Sequence, residues 1–147
     1  MIALPDVNVL LALVWSNHPH HEAAHEWFAR DAHLGWATTL MTQSAFLRLS
    51  MNPHVVGTFL DCRSATQLLA GLVSHPEHRY VEATPALSGA VFDELVPLIV
   101  GYRQVTDAVL LHTARVHGMK LVTFDKPLRT ICPWPENLAT LPQAPAL

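Results

Sequence analysis

The sequence contains little charge and little cysteine. Asp, Glu, Lys and Arg make up 14% of its 147 residues, whereas they make up about 25% of an average soluble domain. Hydrophobic residues account for 50% of the chain, a proportion that excludes an intrinsically disordered tail and a solvated coiled coil. Two cysteines, Cys62 and Cys132, are too few for a disulfide framework in a chain of this length.

Long apolar runs and an excess of basic residues are also missing. No run approaches the roughly 18 apolar residues that span a bilayer, and the amino terminus lacks the basic residues of a secretory signal. Nine Lys and Arg against twelve Asp and Glu give a formal charge of −3, so no basic footprint indicates nucleic-acid binding. The composition therefore predicts a cytoplasmic globular protein with no membrane partner. Its length fits one domain over residues 1–147, with a proline-rich carboxyl-terminal segment over residues 133–147.

Short apolar runs alternate with helical patterns along the chain. Four strands are predicted, over residues 2–4, 34–38, 79–83 and 120–124. Three of the predicted helices cover residues 40–49, residues 85–100 with a kink at Pro97, and residues 107–118 with Thr106 as the cap. This alternation is typical of an α/β fold with parallel strands and right-handed crossovers.

Three aspartates stand where such a fold places functional groups. Asp6 directly follows the first predicted strand, Asp125 follows the last, and Asp107 begins a helix. Any one of them alone is typical of a cap or a turn. Because ligands of parallel sheets bind beyond the carboxyl ends of the strands, we expect the three carboxylates to meet at one edge.

Carboxylates that converge in this way favour a divalent cation. Without one, the like charges repel and at least one group takes up a proton. Oxygen ligands suit Mg²⁺, with Mn²⁺ as an alternative. Such an ion lowers the pKa of a bound water and offsets charge on a phosphodiester. The residues therefore indicate metal-dependent phosphodiester hydrolysis.

Several segments in order resemble a known family. They are Asp6-Val7-Asn8, the stretch from His18 to Trp27, Gln43 to Arg48, Gln104 to Ala108, and Leu121 to Asp125. Together they cover nearly the whole chain and resemble a PIN domain, more narrowly the VapC-type toxins of bacterial toxin–antitoxin pairs. The resemblance implies a three-layer α/β fold with a central, mostly parallel five-stranded sheet flanked by helices.

The resemblance also implies an activity and its residues. It implies a Mg²⁺-dependent endoribonuclease that hydrolyses RNA with a metal-activated water, in a homodimer held inactive by a cognate VapB-like antitoxin. Asp6, Asp107 and Asp125 match the catalytic, metal-binding acids of the family. Asn8 and Thr123 match polar positions that support the metal site.

Gln43 departs from the family pattern, because many members carry a glutamate at this position. Helical spacing places Gln43 on the same side as Phe46 and Leu47, so we expect it to face inward and to need a hydrogen-bond partner. The metal site is the natural partner, and a neutral amide there adds no charge. We therefore expect Gln43 to belong to the catalytic site and to weaken its metal binding.

Three basic residues lie near the proposed site in sequence. Arg48, Arg103 and Lys126 are candidates for binding RNA phosphates. The alternative for each of them is a solvated surface charge.

Other functions remain open at this point. A PIN-like domain with a weakened site can serve as a protein-binding or RNA-binding module without catalysis. The run His21-Glu22-Ala23-Ala24-His25 spells the HExxH signature of zinc metallopeptidases, but no clear third ligand follows it. A receiver-like phosphoacceptor domain also clusters acids around Mg²⁺, but Asp61, its mid-chain candidate, falls in a helical pattern.

Overall fold

A five-stranded parallel sheet forms the centre of the protein. The computed structural model describes residues 1–144, so the last three residues of the proline-rich segment lie outside the description. The strands are β1 (Ala3–Pro5), β2 (Trp36–Thr39), β3 (His78–Val81), β4 (Lys120–Thr123) and β5 (Leu138–Thr140). Their order is β3-β2-β1-β4-β5, and every neighbouring pair is parallel.

Helices cover both faces of this sheet. They are α1 (Val7–Val14), α2 (His21–Asp31), α3 (Leu40–Ser50), α4 (Pro53–Val56), α5 (Cys62–Val73), α6 (Ala90–Asp93) and α7 (Val105–Val116). Trp36 packs in the core shared with α1, α2 and α3, whereas its neighbour Ala37 packs in the core shared with α7. Successive side chains of a strand point to opposite faces, so the two cores confirm the predicted three-layer α/β fold.

The predicted helix over residues 85–100 is wrong. Only Ala90–Asp93 is α-helical there, followed by a 3₁₀ turn over Val96–Leu98 with Pro97 in its first positions. Residues 82–90 are exposed. Most helical stability in proteins comes from packing an apolar face, and residues 82–90 bury none, whereas the apolar side chains that pack against the core begin at Val91.

Helix α7 begins earlier than predicted. Val105 is its first residue, and Thr106 lies inside the first turn instead of capping it. A 3₁₀ turn over Tyr102–Gln104 runs directly into α7. The side chain of Gln104 accepts the backbone N–H groups of Val100 and Gly101 at 2.7 and 3.3 Å. These bonds fix the start of the helix without a threonine cap.

The proline-rich segment contributes to the folded core. Strand β5 lies within it, and Trp134 and Asn137 are only 4% and 1% exposed. The side chain of Asn137 donates to the backbone carbonyl of Met119 at 2.7 Å. The proline content therefore does not mark the beginning of a linker. No helix in the described part of the chain is long and apolar enough to cross a membrane.

Candidate active site

Asp6 lies at the carboxyl end of β1 and forms the N-cap of α1. Its Oδ1 accepts the backbone N–H of Val7 at 2.7 Å, and its Oδ2 accepts the hydroxyl of Thr123 at 3.0 Å. Aspartate is favoured at such a position because its carboxylate pairs with an N–H that the first helical turn leaves free. Asp6 is only 7% exposed, so these two bonds hold the carboxylate in one orientation.

Thr123 connects two of the acidic positions. It is the last residue of β4 and is fully buried. Its hydroxyl donates to Asp6 and accepts the backbone N–H of Asp125 at 3.0 Å. This pair of bonds gives the polar support predicted for Thr123 a physical basis.

The pKa values of Asp6 and Asp107 are both raised. Asp107 lies in the first turn of α7, and its pKa is raised to about 6, first by burial and then by the charges of Asp6 and Asp125. Burial is also the largest cause that raises the pKa of Asp6. Hydrogen bonds from Thr123 and Val7 lower that pKa, and the charge of Asp125 raises it. The structure thus brings the three carboxylates into one electrostatic neighbourhood at the carboxyl edge of the sheet.

Similarity to known proteins bears on this arrangement. The family model of the PIN domain matches residues 3–132. The chain belongs to the PIN-domain family. It is 45% identical over 130 residues to Ribonuclease VapC38 of Mycobacterium tuberculosis (strain ATCC 25618 / H37Rv), covering 88% of this chain and 89% of that protein. It is 39% identical over 129 residues to Ribonuclease VapC39 of the same strain, covering 87% of this chain and 91% of that protein.

A solved structure shares the fold. The crystal structure of VapBC2 from Rickettsia felis bound to a promoter DNA fragment contains a chain that aligns with a TM-score of 0.64. The alignment covers 97% of this chain and 100% of that one at 14% identity. At this identity the likeness concerns the fold alone, and it agrees with the PIN-like architecture predicted from the sequence.

Gln43 is half-buried in α3 of the PIN domain, but it forms no hydrogen bond to the aspartates among the described residues. Its side-chain Nε2 donates to the hydroxyl oxygen of Thr38 at 2.9 Å. Thr38 also lies 2.8 Å from Nε2 of His78. The amide therefore has a partner on β2, and its Oε1 is the atom that remains for a water or a metal.

The remaining predicted residues lie on the surface. Arg48, Arg103 and Lys126 are exposed, and neither of the two ion pairs in residues 1–144 includes them. Arg103 packs over the ring of Tyr102, 5.8 Å from its centroid. Asn8 is exposed and lines a groove that also contains Asp125. The structure therefore places Asn8 near Asp125, whereas within residues 1–144 no ion pair joins the three basic residues to the acids.

The donor chemistry of this PIN domain fits a hard divalent cation. Within residues 1–144, no three His, Cys, Asp or Glu side chains form a ready-made cage for a metal ion. Asp6, Asp107 and Asp125 nevertheless supply the carboxylate oxygens that Mg²⁺ and Mn²⁺ prefer. Burial raises the pKa of Asp107 most, and the charges of Asp6 and Asp125 raise it further, so a bound cation would stabilise its ionised form.

The HExxH run has a structural role. Nδ1 of His21 lies 2.7 Å from the carbonyl oxygen of Ala12, and Nε2 of His25 lies 2.8 Å from that of Leu13. These carbonyls belong to the last turn of α1, where helices leave C=O groups free. The two histidines therefore cap α1, which accounts for their spacing without zinc. Asp61 is an exposed N-cap of α5, so it does not join the acidic cluster either.

Proposed function

We propose that this PIN domain is an endoribonuclease toxin that hydrolyses RNA phosphodiesters with a divalent metal ion, Mg²⁺ or alternatively Mn²⁺. The observation that carries the proposal is the bridge formed by Thr123 between Asp6 and the backbone of Asp125, and the pKa of Asp107, raised to about 6 by burial and by the charges of Asp6 and Asp125, agrees with it. Perturbed carboxylates at the carboxyl edge of a parallel sheet are typical of a functional site. The relatives named as VapC ribonucleases support the same activity.

Each acidic residue has a defined part in this proposal. Asp6, Asp107 and Asp125 hold the ion, and Thr123 keeps Asp6 and the Asp125 loop in register. When bound, the ion supplies an activated water and offsets the charge of the phosphate. Because no ion pair neutralises these acids in the part of the chain that the structure describes, the negative RNA backbone and the site become compatible only with such compensation.

Gln43 and the surface residues act around this centre. Gln43 adds an amide oxygen without charge, which weakens metal binding relative to a glutamate. Arg48, Arg103 and Lys126 contact phosphates along the strand.

The proposal includes two protein partners. We propose a homodimer in the cytoplasm and inhibition by a VapB-like antitoxin. Leu40, Met41 and Leu87 are exposed apolar residues around a groove of about 220 Å³ between α3 and α7. Exposed apolar side chains of this kind suit a protein interface. A basic side chain of the antitoxin would enter the acidic cluster and displace the metal.

Metal-dependent RNA cleavage by purified protein tests the proposal. We expect Asp6→Asn and Asp107→Asn each to reduce cleavage by about a hundredfold or more, since each removes charge that holds the ion. Asp61→Asn is the matched control, because asparagine caps a helix as well as aspartate does. If both site variants cleave as fast as the parent, the assigned chemistry is wrong. If the parent binds RNA but does not cleave it with either ion, the protein is a PIN-like binding module.

A further inference from the structure

A groove of about 340 Å³ adjoins the acidic cluster. Asp125 belongs both to the cluster and to the wall of this groove, which also includes Asn8, His18, His20 and Gln143. Its volume is within the range of pockets that bind small organic groups. If an RNA strand binds with one phosphate at the aspartates, a neighbouring nucleotide therefore lies at this groove.

Backbone contacts fix which imidazole nitrogens can donate in the groove. Nδ1 of His18 accepts the backbone N–H of His20 at 3.1 Å, and Nδ1 of His20 accepts that of Ala144 at 3.0 Å. A neutral imidazole has one donor and one acceptor nitrogen. Both rings consequently carry their proton on Nε2 when they are neutral, and burial lowers the pKa of His18, followed by the charges of His20 and His21.

The ring of His20 is held in place by Phe124. The two rings stack with centroids 4.6 Å apart and an interplanar angle of 29°. Phe124 is itself buried, and its backbone carbonyl accepts the side-chain Nε2 of Gln143 at 2.8 Å. His20 thus presents a rigid aromatic surface, and RNA-binding proteins use histidine rings of this kind to stack unpaired bases.

The chemistry of the groove suits a base better than a phosphate. None of the residues that line it in the described part of the chain is Lys or Arg, and Asp125 adds a carboxylate. Phosphates are bound mainly by basic side chains and by N–H groups. Imidazole N–H donors, the Asn8 amide and the free Oε1 of Gln143 instead form a mixed set that matches the donor and acceptor edge of a nucleobase.

We propose that this groove binds an unpaired nucleobase of the RNA strand next to the phosphodiester that is cleaved. His20 stacks on the base, and the Nε2–H of His18, together with the Asn8 amide, contacts its edge. The inference rests on the proposed ribonuclease function, for which it supplies a binding site for one flanking nucleotide. His18 and His20 are then positioning residues that act on substrate binding and not on the chemical step.

An abasic-substitution experiment tests this assignment. A mixed-sequence single-stranded RNA is cleaved with Mg²⁺ to map the cut, and the cleaved sequence is resynthesised with an abasic nucleotide at each flanking position. For the parent, we expect an abasic nucleotide at one of these positions to raise KM about five- to tenfold relative to intact RNA, with kcat nearly unchanged. His20→Ala removes the ring that stacks on the base, and His18→Ala removes the donor that contacts its edge. Both variants should raise KM on intact RNA and lose most of the sensitivity to the abasic site.

The controls separate this inference from the activity itself. His33 is exposed and precedes β2, at the amino-terminal edge of the sheet, so His33→Ala should match the parent. Equal KM for intact and abasic RNA at every position, or full abasic sensitivity in His18→Ala and His20→Ala, overturns the groove assignment while cleavage stands. If the parent does not cleave, fluorescence anisotropy decides, with a labelled single-stranded RNA that carries an abasic nucleotide at each position in turn and with Mg²⁺ present. Weaker binding of one abasic RNA by the parent alone supports the groove, and equal binding of all of them overturns it.

Discussion

At the residue scale, the site depends on one hydroxyl as much as on the acids. Thr123 donates to Asp6 and accepts from the backbone of Asp125. The three aspartates and their common edge could be predicted from the sequence, because each follows a strand or begins a helix. The partner of Gln43 could not be predicted from helical periodicity, because Thr38 lies at the end of β2 and comes close to Gln43 only through the turn from β2 into α3.

Replacing Thr123 with valine should destabilise the protein in a pH-dependent way. The buried Oδ2 of Asp6 loses its donor, and a buried acceptor without a partner costs about 1–3 kcal/mol. The loss of unfolding free energy should be greater at pH 7 than at pH 4, because the loss of a hydrogen-bond donor destabilises an ionised carboxylate more than a protonated one. Urea unfolding at the two pH values measures it. Thr113→Val is the control, since that hydroxyl donates only to the Val109 carbonyl within α7. An equal, pH-independent loss in both variants would contradict the role of Thr123.

Ionisation of the Asp107 carboxyl group should make the folded protein less stable as the pH rises. Its pKa in the folded state is about 6, above its ordinary value of 3.8, so the folded protein binds this proton more tightly than the unfolded chain does. The resulting stabilisation is complete below about pH 4 and is lost as the pH rises through about 6. Asp107→Asn should therefore be more stable than the parent at pH 7, by about 1 kcal/mol after solvent screening is allowed for.

Thermal melts between pH 4 and pH 8 test this expectation, and added Mg²⁺ provides a second measurement. The ion should raise the melting temperature of the parent at pH 7 and have little effect on Asp107→Asn. If Asp107→Asn is less stable than the parent at pH 7, folding does not destabilise the ionised form of Asp107, and the expectation is wrong.

Gln43→Glu should tighten metal binding. The substitution restores the charge that many family members carry, and Mg²⁺ or Mn²⁺ affinity should rise several-fold because the site gains a fourth carboxylate. A glutamate cannot donate to Thr38 as the amide does, so the Thr38 hydroxyl must donate instead. Calorimetric titration measures the affinity, with Gln67→Glu on the exposed face of α5 as a charge-matched control. Unchanged affinity would mean that Gln43 is remote from the metal.

At the scale of elements, two helices owe their ends to contacts that sequence patterns do not reveal. Helix α7 begins at Val105 because a 3₁₀ turn leads into it. Helix α1 ends under the imidazoles of His21 and His25, which come from the next helix. Periodicity predicts that a helix exists, whereas its ends are set by neighbours that become adjacent only after folding.

Removing the cap from α1 should lower stability without affecting metal content. His25→Ala deletes the hydrogen bond to the Leu13 carbonyl, which is worth about 1 kcal/mol and corresponds to a fall of about 3 °C in Tm. Calorimetry measures the change, with exposed His33→Ala as the control. Elemental analysis should find no zinc lost on mutation. Stoichiometric zinc in the parent that is absent from His25→Ala would restore the metallopeptidase interpretation.

At the scale of the whole molecule, four strands were predictable and the fifth was not. The first four strands lie next to segments with a helical pattern, whereas β5 is a three-residue strand among prolines. The resemblance to PIN domains implied five strands, and the structure confirms that number. Local patterns carry no signal for a short edge strand that is held by its pairing with β4 and by the packing of Leu138 and Ala139 against the two cores.

The carboxyl-terminal segment should therefore be essential for folding, although the family match ends at residue 132. A chain that stops at Cys132 loses β5 and Trp134, which is 4% exposed and donates to Glu94 at 2.9 Å. Losing a buried tryptophan costs about 3–5 kcal/mol, and the uncovered edge of β4 invites aggregation. Since small proteins are stable by only about 5–15 kcal/mol, we expect this chain to be insoluble or unfolded. A chain that stops at Leu141 keeps β5 and should unfold cooperatively. A single thermal transition of this chain is expected if the protein is one domain. Circular dichroism and size-exclusion chromatography distinguish the two, and a folded, monodisperse chain that ends at Cys132 would show that the fifth strand is dispensable.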